Sequence, residues 1–319
     1  MLDITQIRKE PETVAKLLAL KGYKIDFAEF LELDAAKRDA MMKADNLKAK
    51  RNELSASVPR LKKEGRDTAP IFEEVRGIGA QIAELDKEAD ELGKKTDDIL
   101  FALPNLPDPD VQPGGKEANV SLRMFGRKQT FDFAPKDHME LSKSLGLIDY
   151  ERGAKLGGAG KWVYTGDGAR LEWALLNYFI DTHIEDGYTF MLPPHMLNER
   201  SGFTAGQFPK FSDDVFWLEG KQNFMLPTAE TALINLHRDE ILKESELPKK
   251  YFSYTPCYRK EAGSYGSVER GMIRGYQFNK VEMVQFVRPE DGMAAFDEMV
   301  GKAEALLQGL GLHYSLSKL

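Results

Sequence analysis

The stretch that says most about this chain is residues 255–284, which read TPCYRKEAGSYGSVERGMIRGYQFNKVEMV. Its mixture of polar, aromatic and glycine residues predicts two strands joined by a loop. Glycines allow close approach of the backbone to a ligand. Those of the loop are Gly263, Gly266, Gly271 and Gly275. Arg259 and Arg274 add planar guanidinium groups that suit phosphate oxygens. We therefore predict a clamp for a nucleotide, and a surface hairpin with scattered charges is the weaker alternative.

Upstream, residues 31–103 have the composition of long helices, rich in Ala, Lys, Glu, Asp and Leu and almost without aromatic side chains. In the second half, apolar residues recur at alternating spacings of four and three, as at the a and d positions of a coiled coil. This row is Ile71, Val75, Ile78, Ile82, Leu85, Ala89, Leu92, Thr96, Ile99 and Leu103. In the first half, one row recurs every seven residues at Leu33, Ala40, Leu47, Leu54 and Leu61. The other row of the first half is thin, with residues such as Ala36 and Lys43.

Gly65 separates the two helical halves, and Asp67 or Thr68 can cap a new helix that has Pro70 in its first turn. We predict an antiparallel α-helical coiled-coil hairpin whose arms of about 30 residues project about 45 Å. Seven basic residues lie near its tip: Lys48, Lys50, Arg51, Arg60, Lys62, Lys63 and Arg66. On periodicity and charge alone, a spacer or dimerisation hairpin with a solvated basic face remains the better interpretation.

The segment 104–115 is rich in proline and glycine, cannot continue a helix and predicts a linker. We therefore expect a helical domain over 1–103 and a second domain over 116–319. In the second domain aromatic and β-branched residues become frequent, and short apolar runs alternate with helical stretches. Regular βαβ alternation is lacking, so the fold class is α+β with a mostly antiparallel sheet flanked by helices.

The composition excludes several classes of protein. The 319 residues are 42% hydrophobic and 30% charged, which does not fit a disordered or collagen-like chain. Cys257 is the only cysteine, so no disulfide forms within the chain. We find neither a signal-peptide pattern nor an apolar run of about 18 residues, and we expect a cytoplasmic protein without membrane contact. The net charge of −7 argues against nonspecific nucleic-acid binding over the whole surface, though not against a local basic site.

Two generic site patterns fail. Residues 157–161, GGAGK, resemble a phosphate-binding loop but lack its first glycine and the serine or threonine after the lysine. The five histidines show no metal-ligand spacing, and we identify no metal ligand in the sequence.

The stretch 255–284 closely resembles motif 2 of class II aminoacyl-tRNA synthetases, and in particular that of seryl-tRNA synthetases. The matching residues are 258–264 (YRKEAGS), 270–271 (RG) and 277–282 (QFNKVE). Further matches are 131–133 (FDF), 135–138 (PKDH), 150–156 (YERGAKL), 206–211 (GQFPKF) and 227–230 (PTAE). The helical hairpin matches as well, so the resemblance covers the whole chain. It implies a class II sheet in the second domain.

The resemblance implies a serine–tRNA ligase that uses ATP, with Mg²⁺, to convert L-serine to seryl-adenylate. It then transfers the seryl group to the 3′ end of serine tRNA, with selenocysteine tRNA as a second candidate acceptor. The resemblance implies that Arg259 is the catalytic residue, which would hold the α-phosphate. The implied ATP-binding residues are Arg259, Lys260, Glu261, Gly275 and Phe278. Glu261 would meet the adenine amino group, and Phe278 would stack on the ring.

The implied serine-binding residues are Thr228, Ala229, Glu230 and Glu282. Thr228 and Glu230 would take the ammonium group, and Glu282 the side-chain hydroxyl. The resemblance also makes the seven basic residues of the hairpin, from Lys48 to Arg66, tRNA-binding residues that meet the long variable arm. The stretches 171–183 and 187–194 resemble motif 1, which implies a homodimer.

Three features depart from the common family pattern. Tyr276 stands where many members have histidine, and residues 266–269 (GSVE) replace a more basic run. The sequence stops at Leu319, before motif 3, which carries a second ATP-binding arginine and a metal-liganding carboxylate, so we expect an incomplete catalytic domain. A truncated relative that binds tRNA without activating serine is therefore the alternative function.

Overall fold

The computed structural model describes residues 2–261 and 271–319. The chain divides into two compact units, 1–119 and 120–318. In the first unit the helices are α1 (Ile4–Lys9), α2 (Pro11–Leu20), α3 (Ala28–Lys63) and α4 (Ala69–Phe101). Helices α3 and α4 pack against each other as the predicted antiparallel hairpin. Their 36 and 33 residues give arms of about 54 and 50 Å at about 1.5 Å per residue.

Packing within the hairpin follows the row predicted on α4. Ile78, Ile82, Ala89 and Thr96 are buried, and the hydroxyl of Thr96 donates to the carbonyl of Gly93 at 2.8 Å. The backbone thus satisfies the one polar member of the row.

The second row of α3 is thin because the helix faces its partner with other residues. Ala36 and Lys43 are exposed, whereas Ala44 is buried. Near the base of the hairpin, Asp34 is 4% exposed and accepts hydrogen bonds from Arg8 at 2.7 and 2.8 Å. These bonds to the Arg8 guanidinium hold the pKa of the Asp34 carboxyl below its usual value. A paired carboxylate therefore replaces an apolar seam residue here.

The turn of the hairpin forms where glycine was expected to end the first arm. Gly65 has a φ of +71°, which an L side chain rarely adopts. The carboxylate of Asp67 accepts from the backbone N–H of Ala69 at 2.9 Å, while Thr68 makes no capping hydrogen bond. Of the two candidate caps, Asp67 is therefore the one used.

A compact apolar core closes the base of the first unit. It is formed by α1, α2 and both hairpin arms, and its buried members are Leu2, Ile7, Val14, Leu18, Phe27, Phe30 and Leu100. Burial of these side chains fixes the base of the hairpin.

The second unit combines short strands and helices. Its strands are β1 (Val120–Phe125), β2 (Ile148–Asp149), β3 (Val163–Tyr164), β4 (Thr189–Met191), β5 (Met196–Asn198), β6 (Asn223–Met225), β7 (Lys249–Tyr258), β8 (Gln277–Phe286) and β9 (Tyr314–Lys318). Its helices are α5 (His138–Ser144), α6 (Tyr150–Gly157), α7 (Asp167–Glu185), α8 (Glu199–Thr204), α9 (Glu230–Leu233) and α10 (Gly292–Gly309). The pairs β1–β9, β2–β3 and β5–β6 are antiparallel. No helix among the described residues is long and apolar enough to cross a membrane.

Strands β4, β7 and β8 form the sheet that carries the residues resembling motif 2. Strands β7 and β8 are antiparallel, as predicted, whereas β4 runs parallel to β7. Side chains alternate between the two faces of a strand. The register pairs Ser253 with Glu282, Thr255 with Lys280 and Cys257 with Phe278. These six side chains therefore share one face of the sheet.

The opposite face packs on α7. The rings of Trp173 and Tyr254 meet edge to face with centroids 5.7 Å apart, and those of His183 and Phe252 lie 5.5 Å apart. Phe252 also stacks on Phe190 of β4. Helix α7 thus covers one face, and the face with Lys280 and Glu282 is the one available to a ligand.

Candidate functional site

Four polar side chains meet on this face of the sheet, and we call them the carboxylate cluster: Thr228, Glu230, Lys280 and Glu282. The hydroxyl of Thr228 donates to Oε2 of Glu282 at 2.6 Å. The backbone N–H of Glu230 donates to the same oxygen at 3.0 Å. Segment 227–230 and strand β8, about 50 residues apart in sequence, are therefore joined through a single carboxylate.

Lys280 completes the cluster, and sequence reasoning did not single it out. Its Nζ lies 2.7 Å from Oγ1 of Thr228 and 3.0 Å from Oε2 of Glu282. Lys280 and Glu282 are two residues apart on one strand, and side chains at that spacing point to the same face. The period of a strand was the sequence signal that would have found it.

Glu230 lies at the start of α9 with its side chain half-buried. Burial raises the pKa of the Glu230 carboxyl above its ordinary value, and the neighbouring charge of Glu282 raises it further. The ammonium of Lys280 acts in the opposite direction and lowers this pKa. Ala229, also expected in the site, is fully buried next to Glu230.

Arg259 and Phe278 lie side by side on the same face. The Arg259 guanidinium carbon is 5.1 Å from the centroid of the Phe278 ring, within the range of a cation–π contact. Nε of Arg259 donates to the carbonyl of Pro227 at 3.1 Å, and its backbone N–H donates to the carbonyl of Tyr276 at 3.0 Å. The guanidinium is thus anchored through Nε next to the segment that carries Thr228.

Glu261 and Lys260 follow Arg259 along the chain. Glu261 has a φ of +51° and pairs with Arg274 at 2.8 Å. Lys260 lies with its Nζ 6.0 Å from the centroid of the Phe216 ring, and its backbone N–H donates to Asp214. Arg274, which the sequence suggested for phosphate, is therefore engaged with a carboxylate.

Gly275 has a packing role that the sequence did not reveal. A Cβ at this position would lie 2.3 and 2.5 Å from ring atoms of Trp162. The neighbouring Tyr276 ring lies against Gly160, where a Cβ would approach it to 2.7 Å. Lys161 Nζ sits 4.4 Å from the centroid of the same ring. Tyr276, the departure from the family's histidine, thus supports the segment 160–162 against β8.

The structure separates the basic residues predicted on the hairpin into two sets. Three of them pair with carboxylates: Lys48 with Asp86 at 2.9 Å, Lys50 with Glu74 at 2.7 Å and Arg60 with Glu64 at 3.8 Å. Among the described residues, no ion pair is made by Arg51, Lys62, Lys63 or Arg66. The last three are exposed near the turn. Residues 60–72, which we call the hairpin tip, therefore offer unpaired positive charge.

Phe72 belongs to the same surface. Its ring is 53% exposed, and Nζ of Lys62 lies 5.8 Å from its centroid. The hairpin tip thus combines cations with an aromatic face.

A separate cavity of about 650 Å³ lies between the start of β7, the end of β8 and α10. Its charged residues already pair with each other, since Lys250 meets Glu298 at 2.6 Å and Arg288 meets Glu244 at 3.2 Å. None of the residues that the resemblance assigns to serine or ATP lines this cavity, so the carboxylate cluster is the stronger candidate. Residues 262–270, which include Gly263 and Gly266 and the departure at 266–269, lie outside the described residues.

Two family models match the chain. Residues 1–107 match the seryl-tRNA synthetase N-terminal domain, and residues 216–319 match the tRNA synthetase class II core domain (G, H, P, S and T). Both ranges contain residues discussed above, the hairpin in the first and the carboxylate cluster in the second.

Among curated relatives, serine–tRNA ligase 2 of Clostridium acetobutylicum is 56% identical over 326 residues, covering 100% of this chain and 76% of that protein. A serine–tRNA ligase of Nitratidesulfovibrio vulgaris is 46% identical over 316 residues, covering 98% of this chain and 74% of that protein. Among solved structures, seryl-tRNA synthetase from Pyrococcus horikoshii, complexed with ATP, superposes with a TM-score of 0.86 at 31% identity. That match covers 99% of this chain and 76% of the other. The chain therefore belongs to the seryl-tRNA synthetase family.

Proposed function

We propose that this chain is a serine–tRNA ligase that activates L-serine with ATP and transfers the seryl group to tRNA. The observation that carries the proposal is the convergence of Thr228, Glu230 and Glu282, which the resemblance assigns to serine, on one sheet face beside Arg259. The identity of 56% to a serine–tRNA ligase supports it. The structural relative complexed with ATP supports ATP as the second substrate.

In the first step a carboxylate oxygen of serine attacks the α-phosphorus of ATP. A new P–O bond forms, the bond to the bridging oxygen of pyrophosphate breaks, and seryl-adenylate and pyrophosphate result. Negative charge on the α-phosphate must be stabilised during this transfer. Arg259 is suited to that role because its Nε bond to Pro227 fixes the guanidinium beforehand. Lys260 remains a proposed contact of ATP without an assigned phosphate.

Serine would bind by its two polar groups. The ammonium group would meet Thr228 and Glu230, with the backbone at Ala229 between them, and the hydroxyl would donate to Glu282. A pocket that holds one carboxylate oxygen for a hydroxyl leaves that oxygen without a donor when alanine binds, which costs about 1–3 kcal/mol. This is the basis we propose for selectivity.

The adenine ring would stack on Phe278, and its amino group would meet Glu261. The backbone at Gly275 would contact the nucleotide. Aromatic stacking and one directed hydrogen bond suffice to position a planar base. The position of Phe278 beside Arg259 supports an arrangement in which base and α-phosphate lie on the same sheet face.

Mg²⁺ enters the family's chemistry together with ATP. Within residues 2–261 and 271–319, no group of three or more His, Cys, Asp or Glu side chains is placed to hold a metal ion. The described residues therefore do not form a site for the ion, and no step above is routed through it.

The hairpin tip would bind the backbone of serine tRNA. Exposed lysine and arginine side chains contact phosphates without reading sequence, and recognition would rest on the shape of the variable arm. Selenocysteine tRNA, if its arm has the same shape, would be a second acceptor. Lys48, Lys50 and Arg60 also remain proposed contacts, and their ion pairs would have to open first.

We also propose a homodimer formed through the motif 1 region, active in the cytoplasm. Large apolar side chains of this region are exposed in the single chain: Leu171 at 62%, Trp173 at 52% and Leu192 at 73%. Burial of such side chains is the usual driving force for stable association.

The proposal is tested by serine-dependent exchange of pyrophosphate into ATP, with alanine and threonine in parallel reactions, and by filter binding of serine tRNA. We expect exchange with serine well above that with alanine or threonine. Binding of tRNA without any serine-dependent exchange would contradict the proposal and support the alternative of a relative that only binds tRNA.

A further inference from the structure

We propose that Lys280 is a positioning residue for the substrate ammonium group. Lys280 would direct the Thr228 hydroxyl and offset one of the two neighbouring carboxylate charges. The inference rests on the proposed function, since it takes the carboxylate cluster to be the serine site. It adds a residue to which neither the sequence analysis nor the comparisons assign a role. The contacts of Lys280 carry it, at 2.7 Å to Thr228 and 3.0 Å to Glu282.

The donors and acceptors around Thr228 fix the direction of each hydrogen bond. An ammonium group has three donors and no acceptor, so Oγ1 of Thr228 must accept from Lys280. The single hydroxyl proton of Thr228 is then directed to Oε2 of Glu282, 2.6 Å away. One lone pair of the hydroxyl is left over. That lone pair can accept from a ligand, and the ammonium of an amino acid is a donor-only ligand.

The two oxygens of Glu282 have different tasks. Oε2 accepts from the Thr228 hydroxyl and from the backbone N–H of Glu230, and Lys280 lies 3.0 Å from it. No hydrogen bond from the described residues reaches Oε1. Lys280 and its neighbours thus fix one oxygen of the carboxylate, and the other is left for the serine hydroxyl.

The carboxylate cluster has one more negative than positive charge. Glu230 and Glu282 contribute two negative charges and Lys280 one positive charge, which leaves a net charge of −1 in the cluster. A single incoming ammonium neutralises it. Without Lys280 the two carboxylates would face each other uncompensated, and the pKa of Glu230, already raised by burial and by Glu282, would rise further.

The titratable and charged groups around the carboxylate cluster come from two elements. Strand β8 presents Glu282 and Lys280, whose opposite effects on the Glu230 carboxyl are described above. Strand β7 presents Cys257 on the same face, where burial raises the pKa of the thiol and keeps it neutral. Arg259 follows β7 and is held at Pro227. Lys280 is therefore the cation that bears most directly on the ionisation of Glu230.

The experiment compares two ligands that differ in the ammonium group alone. The first is the stable sulfamoyl analogue of seryl-adenylate, and the second is the same compound without its α-amino group. Binding to the full chain is measured by isothermal titration calorimetry between pH 6 and 8.5. The variants are Lys280→Met, which removes donor and charge, and Lys280→Gln, which keeps a donor but removes the charge.

Lys249→Met is the matched control, because Lys249 lies on the neighbouring strand with its side chain 21% exposed, against 29% for Lys280. Melting curves of all variants establish that they fold. Should Lys280→Met unfold, Lys280→Gln carries the test.

We expect Lys280→Met to weaken the amino analogue about tenfold or more, as for loss of one hydrogen bond to a charged group. The analogue without the amino group should bind nearly as it does to the unsubstituted chain. Binding of the amino analogue should be lost at a higher pH in both Lys280 variants, because the pKa of Glu230 rises without the lysine. Lys249→Met should leave the affinity for both ligands unchanged.

An equal loss for both analogues, or no loss for either, would overturn the role of Lys280. Glu282→Gln serves to separate this result from failure of the serine site itself. If Glu282→Gln weakens the amino analogue while Lys280→Met does not, the proposed function stands and the positioning role falls. If the unsubstituted chain binds neither analogue, the proposed function itself is contradicted.

Discussion

The carboxylate cluster and the hairpin tip both depend on charged side chains, yet they hold them in opposite ways. In the cluster, Glu282 is fixed by Thr228, by a backbone N–H and by Lys280, all within 3.0 Å. At the tip, Lys62, Lys63 and Arg66 are exposed and have no ion pair among the described residues. One region is organised before any ligand arrives, and the other is left open.

The difference reflects the ligands that we propose for the two regions. A small amino acid has few atoms to recognise, so its selection requires buried polar groups whose geometry is already set. An RNA backbone offers a repeated charge, and exposed cations bind it without fixed geometry at the expense of strong salt dependence. Substitutions that change one region and leave the other intact test this contrast.

Substitution of Glu282 should separate the two regions most clearly. Glu282→Gln removes the charge that accepts from Thr228 and Glu230, and we expect serine activation to fall at least about a hundredfold. Binding of serine tRNA should stay within about twofold, because the hairpin tip is untouched. Pyrophosphate exchange and filter binding measure the two quantities. Parallel loss of both would break the contrast.

Removal of the open cations should have the converse result. In a variant with Lys62, Lys63 and Arg66 all changed to Ala, the slope of log tRNA affinity against log salt should decrease by about 2 to 3, with serine activation unchanged. The matched control changes Lys48, Lys50 and Arg60 to Ala and so also removes three cations. Because each of these side chains is paired with a carboxylate, we expect a smaller change of slope. Equal slopes for the two variants would show that ion pairing does not distinguish the two sets.

Two glycine substitutions, one next to β8 and one on α4, should have opposite effects on the free energy of unfolding. Gly275→Ala places a Cβ against the Trp162 ring and should lower the free energy of unfolding by about 1–3 kcal/mol. Gly77→Ala, at an exposed position of α4, meets nothing within 4 Å and should raise stability by about 0.5–1 kcal/mol. Chemical denaturation of both variants checks the opposite signs. A neutral Gly275→Ala would show that Trp162 moves aside easily.

Ionisation of Glu230 should lower the stability of the folded chain by a small amount. The pKa of Glu230 is raised in the folded chain, so its ionised form opposes folding above the pKa of the unfolded state. Glu230→Gln should therefore raise the melting temperature at pH 8, and the gain should shrink as pH falls through the raised pKa. Serine activation should be lost in the same variant. A melting temperature lowered at pH 8 would contradict the linkage.

Much of this architecture could be predicted because it depends on local periodicity. The 4–3 spacing of α4 predicted its buried face, and Gly65 marked the turn. The two strands of 255–284 followed from residue types alone, and the loop expected between them lies mostly outside the described residues. The family resemblance supplied the roles that we propose for Arg259 and Glu282, which no spacing argument could assign.

Other features required the tertiary structure. Asp34 is buried because Arg8, 26 residues away, reaches it across the base of the hairpin. The requirement for glycine at 275 arises from Trp162, more than a hundred residues earlier. Lys280 was within reach of the sequence, since it shares a strand face with Glu282, but its contact with Thr228 depends on how two distant segments meet.

We propose that the carboxylate cluster selects serine by its hydroxyl. The most direct test is calorimetric binding of the sulfamoyl analogues of seryl-adenylate and alanyl-adenylate to the unsubstituted chain and to Glu282→Gln. We expect the unsubstituted chain to bind the seryl compound at least about tenfold more tightly than the alanyl compound. Glu282→Gln should lose most of this preference. Equal affinity of the unsubstituted chain for the two compounds, or a preference that survives Glu282→Gln, would contradict the proposal.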